Sequence, residues 1–371
     1  MDESLMGMEF RYKCIDPEPP NTDHMICMAT DLTGNGFDDV IVGAKEGHPS
    51  VYWYENRGPD SDEWERHDIV NVPALEVGGA FADLTGNGRL DIVAGGPLGH
   101  YDTYWFEQPE DPRDEWNTHV ICSDYHKYHD QAVADVDDDG EPEVVFVSQN
   151  SEVICYYDVP DDPRGDGWSR SDRTIVDAGM DRAEGIQVLD IDDDGRTELV
   201  VGRRIYHRQD DAGEEWTAER VAADWEDERV RVVAADVDGD SQEELLLTEC
   251  ERPALSVHPD NARLAVCSAP DWEPTVVRDD LYCPHSLQVA DFSGDGHLDV
   301  FVAESDYRDH ENPRQFVLEN RGDGTFESHL VGEGVGTHEA RVADLTDDGT
   351  LDVVGKNDTE DAHVDVWYNE T

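Results

Sequence analysis

The chain has 371 residues, with 89 Asp+Glu against 27 Lys+Arg and a formal net charge of -62. So acidic a body excludes a nucleic-acid binder that works by neutralising phosphates. Nine Trp, thirteen Tyr and recurrent Val/Ile/Leu runs argue for a buried core rather than a disordered acidic chain.

In chain order the first element is a lone β-like run, EFRYKCI at residues 9–15. Seven copies of one acidic loop follow. DLTGNGFDD offers Asp31, Thr33, Asn35 and Asp39, and DLTGNGRLD offers Asp83, Thr85, Asn87 and Asp91. DVDDDGEPE carries Asp135, Asp137, Asp139 and Glu143, and DIDDDGRTE carries Asp190, Asp192, Asp194 and Glu198. DVDGDSQEE supplies Asp236, Asp238, Asp240 and Glu244; DFSGDGHLD supplies Asp291, Ser293, Asp295 and Asp299; DLTDDGTLD supplies Asp344, Thr346, Asp348 and Asp352. Successive copies start 46 to 55 residues apart, the period of a propeller blade or a solenoid turn.

Each loop is entered by an apolar run (DQAVAD, SLQVAD) and left by a β-rich one (DVIVGA, EVVFVS). A third run alternates aromatics (SVYWYEN, VDVWYNE), and a fourth opens on Trp or Phe (WERHDIV, FESHLVG). Four strands per repeat predict an all-β, seven-bladed β-propeller, with blades near 24–70, 75–122, 128–177, 184–223, 229–279, 284–332 and 338–369. The last repeat stops after its third strand, so residues 9–15 are expected to complete it and close the ring, leaving no open sheet edge.

Oxygen-bearing side chains at loop positions 1, 3, 5 and 9 suit a hard cation, and Gly at position 6 permits the sharp turn, with Ser241 as the exception. Several bound Ca2+ ions are therefore expected. These loops resemble the FG-GAP or VCBS repeat family over essentially the whole chain. The resemblance implies calcium-stabilised blades. It leaves activity open, because adhesion modules share the family's repeats, while rhamnogalacturonan and ulvan lyases and a sugar dehydratase are propellers with chemistry on one face.

In a propeller the innermost strands start on the face opposite these loops. Residues six or seven positions before each first Asp are His24, Glu76, His129, Glu184, Arg229, His285 and His338, a set expected to face a central funnel. Turns between second and third strands should add Lys45, His48, His100, Tyr101, Arg203, Arg204, Tyr206, His207, Arg252, Asp306, Tyr307, Arg308, His310 and Lys356. Only four lysines exist, Lys13, Lys45, Lys127 and Lys356, and three of them map to this face. Either they attract an acidic ligand or they pair with nearby acids such as Glu46, Asp306 and Asp358.

The residue types suit β-elimination from a uronate: Lys45, Lys127, Arg203, Arg204, Arg308 or Lys356 would hold the carboxylate. Tyr128, His129, Tyr206, His207, His285 or His338 would move protons. A second expectation is Zn2+ or a similar ion on His24, His285 and His338 with Glu339 nearby, since blades 6, 7 and 1 adjoin. The reading is a propeller binding an acidic carbohydrate or small anionic ligand, lyase-like in chemistry, against a non-catalytic FG-GAP-type interaction module.

The scarcity of lysine resembles halophilic archaeal proteins in composition. No signal-like or membrane-length apolar run is present, so a cytoplasmic location and no membrane partner are expected. Seven cysteines without CxxC spacing read as reduced thiols.

Overall fold

The computed structural model describes residues 7–59, 61, 63–165, 167–180, 182–209, 215–225, 229–249, 262–306, 310–357, 359 and 362–371. Within them the β-rich runs form seven four-stranded antiparallel sheets, arranged as a propeller. Blade 1 comprises His24–Thr30, Asp39–Ala44, Val51–Glu55 and Glu65–Val70. The innermost strands of blades 2 to 6 are Ala80–Ala82, Tyr128–Ala134, Ile186–Leu189, Val230–Ala235 and Ser286–Ala290. Blade 7 is Glu339–Ala343, Asp352–Lys356 and Val364–Asn369, completed by Phe10–Asp16, which pairs antiparallel with Val364–Asn369 as expected.

Second strands such as DVIVGA, EVVFVS and ELLLTE are buried along their whole length, because a neighbouring blade covers each face. Fourth strands such as NTHVIC lie at the rim and are half-exposed. Such a sheet can bury its apolar faces only against its neighbours, so the core is divided among the blade interfaces. Trp53 packs with Leu75 and Phe106 between blades 1 and 2, and Trp105 with Tyr128 and Trp168 between blades 2 and 3. The series continues to Trp367 with Phe301 between blades 6 and 7 and Tyr54 with Val366 between blades 7 and 1, so the ring is closed by packing as well as by the shared sheet.

Polar latches reinforce these interfaces. Asn56 Nδ2 donates to the Leu345 carbonyl of blade 7 at 2.8 Å, and Asn369 Nδ2 to the Phe292 carbonyl of blade 6 at 2.9 Å. Asn320 reaches Val237 of blade 5 in the same way. At the rim, Arg113 donates to Glu55 of blade 1 through Nη2 at 2.8 Å and Nε at 3.0 Å, and Arg164 clamps Glu107 of blade 2 similarly. His67 and His119 sit on the same two carboxylates. The six described cysteines are free thiols, and no helix among the described residues is long and apolar enough to cross a membrane.

Candidate functional site

At one end of the ring the acidic loops are wound by their own first residue. Asp31 Oδ1 accepts from the Gly34 and Asn35 amides at 2.8 and 3.1 Å, and Oδ2 from Gly36 at 2.8 Å. Asp135 and Asp236 each accept two amides of their own loops, one on each oxygen. Position 6 lies in the left-handed region, φ 92° at Gly36 and at Gly140, and Ser241 adopts it at 74° despite its Cβ.

At position 3, Thr85 Oγ1, Asp137 Oδ1 and Thr346 Oγ1 are buried without a hydrogen-bond partner. Asp135, Asp137 and Glu143 each bring an oxygen within 4.8 Å of the others, as do Asp190, Asp192 and Asp194. Orphaned oxygens recurring at one loop position, surrounded by carboxylates, fit the oxygen donor set of calcium.

Position 9 divides into two kinds. Asp39 accepts from Leu32 N through one oxygen and from Asn56 N through the other, and Asp91, Asp299 and Asp352 repeat this brace to the third strand. Glu143 and Glu244 use one oxygen on the position-2 amide. Burial, with the loop carboxylates adding to it, outweighs these amide bonds and raises Asp39 to about 7 and Glu143 to about 8.

At the other end lies a funnel of about 430 Å³. Its wall includes Met25, Glu76, His129, Glu184, His285 and His338 from the innermost strand entries, and Lys45, Glu46, His100, Lys127, Asn150 and Arg182 from the connections around them. His129 Nδ1 lies 2.7 Å from Asp130 Oδ2 and its Nε2 3.6 Å from Glu184 Oε1. Burial alone would lower this imidazole, but the Glu184 and Asp130 carboxylates raise it to about 9. His285 Nδ1 contacts the His338 carbonyl at 2.9 Å, and its Nε2 is 3.7 Å from Glu184 Oε2. The His285 and His338 rings stack at 3.9 Å. Burial, with neighbouring Arg231 or histidine charge adding to it, holds both well below the ordinary histidine range.

Several foreseen residues take other positions. His24 turns into the blade 7–blade 1 interface, with Nε2 2.7 Å from Tyr52 Oη, and Met25 faces the cavity instead. The cause is a register shift between His24 and Ile26, matched by one between Tyr128 and Asp130 that makes His129 the inward residue. A one-residue slip sends a strand side chain to the opposite face. Tyr128 accordingly packs between blades 2 and 3, with its hydroxyl receiving the Tyr125 amide at 2.9 Å. Arg229 is not among the described cavity-lining residues.

The blade 4 turn is tighter than expected, since Val201 already pairs with Arg204. Arg204 and Tyr206 therefore run down the third strand to Asp177, and His207 reaches the loop end beside Glu198 at 3.6 Å. Arg203 is fully buried and donates to the Ala222 carbonyl at 2.6 Å. Lys356 stands behind the wall, its ammonium 2.6 Å from the His24 carbonyl and 3.2 Å from His338 Nδ1. These contacts occupy His24 and His338 differently from a shared ion site, and Glu339 is engaged by Arg231 and Arg341. His48 faces Asn71, His310 stacks on Tyr282, and Tyr101 stacks on His126. Arg252, Tyr307, Arg308 and Asp358 lie outside the described residues.

Arg182 was missed by sequence reasoning, although it stands two residues before Glu184 in the connection that returns to this face. Asp130 was missed because its role is to hold His129, a contact between strand neighbours without a motif.

The FG-GAP-like repeat family model matches residues 31–94 and 284–355, so FG-GAP-like repeats are present in this chain. No curated protein matches it by sequence. Among solved structures it is similar to the Vibrio cholerae biofilm matrix protein Bap1, with TM-score 0.56 and 13% identity, covering 98% of this chain and 92% of that one. An ancestral GH74 enzyme gives TM-score 0.61 at 13% identity, over 94% of this chain and 48% of that one. BBS1N, from its complex with ARL6DN, gives 0.55 at 9% identity, over 96% of both chains. At these identities the likeness is one of fold.

Proposed function

We propose that this propeller is a calcium-stabilised binding protein whose funnel holds a small anionic ligand of the sugar-acid class. One observation carries the reading. Lys45, Lys127 and Arg182 all line the funnel, and none makes an ion pair among the described residues, in a chain with 89 acidic side chains. A cation in such a body is readily captured by a carboxylate. Three without an ion pair among the described residues, around one cavity, are suited to a carboxylate brought by a ligand. Lys127 moreover holds a backbone φ of 57°, a conformation that non-glycine residues keep chiefly where the surroundings or the function demand it.

A rim cleft of about 610 Å³ is larger but differs in this respect, because its Arg66 and Arg113 already pair with Asp16 and Glu55. Glu46, Glu76 and Asn150 line the funnel together with its cations. That mixture offers hydrogen bonds to hydroxyls as well as to a carboxylate, which favours a sugar acid over a bare inorganic anion. Calcium would be held by the loop oxygens, where it would neutralise acid charge and tie each first strand to the second.

The histidines in the same wall favour a second reading, β-elimination from a uronate. A funnel cation would neutralise the carboxylate, a histidine would take the proton from the adjacent carbon, and the C–O bond to the leaving sugar would break as the double bond forms. A second donor would protonate the departing oxygen.

A panel of uronate-containing glycans, followed by calorimetry and by ultraviolet absorbance of an unsaturated product, tests both. Heat without absorbance supports the binding protein, and a rise in absorbance supports elimination. Neither signal, from a folded and calcium-loaded chain, overturns both and leaves an interaction module that holds its partner elsewhere on the ring.

A further inference from the structure

We propose that His129, Glu184 and His285, from blades 3, 4 and 6, hold a divalent transition-metal ion of the zinc type in the funnel wall. This does not depend on which ligand the funnel takes. The three side chains are buried, and each places a donor atom within 4.8 Å of the other two. Donors about 2.0–2.2 Å from a common tetrahedral ion stand about 3.4 Å apart, close to the 3.6 Å from His129 Nε2 to Glu184 Oε1 and the 3.7 Å from His285 Nε2 to Glu184 Oε2.

The second observation is the state of the other ring nitrogens. Nδ1 of His129 is 2.7 Å from the Asp130 carboxylate, and Nδ1 of His285 is 2.9 Å from the His338 carbonyl. A histidine that ligates through Nε2 characteristically donates its Nδ1–H to a carboxylate or a backbone carbonyl, which sets the tautomer and the ring plane. Both forms occur here, one on each histidine. Asp130 is itself fixed by Arg231 at 3.1 Å and by the Gly185 amide at 2.9 Å. Gly185 can approach so closely because a Cβ there would meet Val232 N at 2.9 Å. His338 stacks on the second ligand and restrains its ring.

Two imidazoles and a carboxylate select a first-row transition ion over calcium or magnesium, which prefer oxygen donors. Three protein ligands facing an open cavity leave at least one position for water or for an oxygen of a bound molecule.

The test uses the full chain, stripped with chelator and then held in excess calcium so that oxygen-only loops are filled. Cobalt(II) is titrated in while its visible d–d absorption and the bound cobalt are measured. One equivalent with the intense absorption of a four- or five-coordinate nitrogen-containing site, displaced by zinc, is the expected result. Glu184→Gln and His285→Ala should each weaken uptake by about tenfold or more, and Asp130→Asn by about tenfold through loss of the His129 orientation. Glu110→Gln, at an exposed position between the third and fourth strands of blade 2, should leave the absorption unchanged. Far-UV circular dichroism confirms folding of each variant, and Glu184→Gln, which preserves shape, serves if His285→Ala does not fold. No absorption in the parent chain, or absorption that survives both ligand substitutions, overturns the site.

Discussion

The rim clamp between Arg113 and Glu55 allows blade cohesion to be measured one interaction at a time. Arg113 meets both Glu55 oxygens, at 2.8 and 3.0 Å, with Glu55 6% and Arg113 40% exposed. Exposed pairs contribute about 0.2–1 kcal/mol, whereas breaking a buried pair costs about 3–5 kcal/mol. A bidentate pair with one partner buried should fall between, at a coupling of about 1–2 kcal/mol. Urea unfolding of the parent, Arg113→Met, Glu55→Gln and the double variant gives that coupling directly. The pH dependence supplies a sign. Arg113, followed by Arg57 and His67, holds Glu55 at about 2 against the opposing effect of burial, below its ordinary 4.5. A depressed carboxylate stabilises the folded state fully above its unfolded value and loses that contribution as pH falls through the folded one. The gap between parent and Arg113→Met should therefore be full above about pH 4.5 and shrink towards pH 2. A coupling below about 0.3 kcal/mol, or a gap indifferent to pH across that window, would refute the clamp.

Trp105→Ala empties a fully buried site between blades 2 and 3 and should cost about 3–5 kcal/mol in urea unfolding. Chelation at moderate salt should lower the melting temperature by about 5 °C or more, because ions bound only by the folded state stabilise it by mass action. An unchanged melting curve would remove calcium from the loops. Lys127→Met and Lys45→Met should each weaken binding of a sugar acid by about tenfold, the loss of one charge-assisted contact, without shifting the melting temperature. Calorimetric titration measures this, and unaltered affinity in both variants would contradict the role assigned to the funnel cations.

The blades were legible because their signals are local and repeated. An Asp that accepts two or three amides of its own loop, and strands whose alternation or burial follows from sheet geometry, leave the same mark seven times. Ring closure was legible from arithmetic, since a repeat short of one strand and a spare strand at residues 9–15 complete each other. The latches were not, because Asn56 is identified only by the Leu345 carbonyl of another blade. Nor was the double use of position 9, where the shorter Asp spans two amides and the longer Glu can leave one oxygen to the loop.

The funnel was legible as a place and only partly as a set of side chains. His129, His285, His338, Lys45 and Lys127 line it as foreseen, while His24 and Tyr128 are displaced by register shifts that no residue type announces. Arg203, Arg204, Tyr206 and His207 were misplaced because a two-residue turn was read as a longer loop, which carried strand residues onto the wrong face. The grouping of His129 with Glu184 and His285 joins blades that are not all adjacent, and so depends on how the innermost strands converge across the axis.

The most direct measurement is a calorimetric comparison of a uronate oligosaccharide with its neutral counterpart on the calcium-loaded chain, repeated on the Lys45→Met/Lys127→Met double variant. Binding of the acid alone, weakening with salt and lost in the variant, is the predicted result. Equal binding of the neutral sugar, or acid binding that survives the double substitution, would contradict a funnel built to hold an anion.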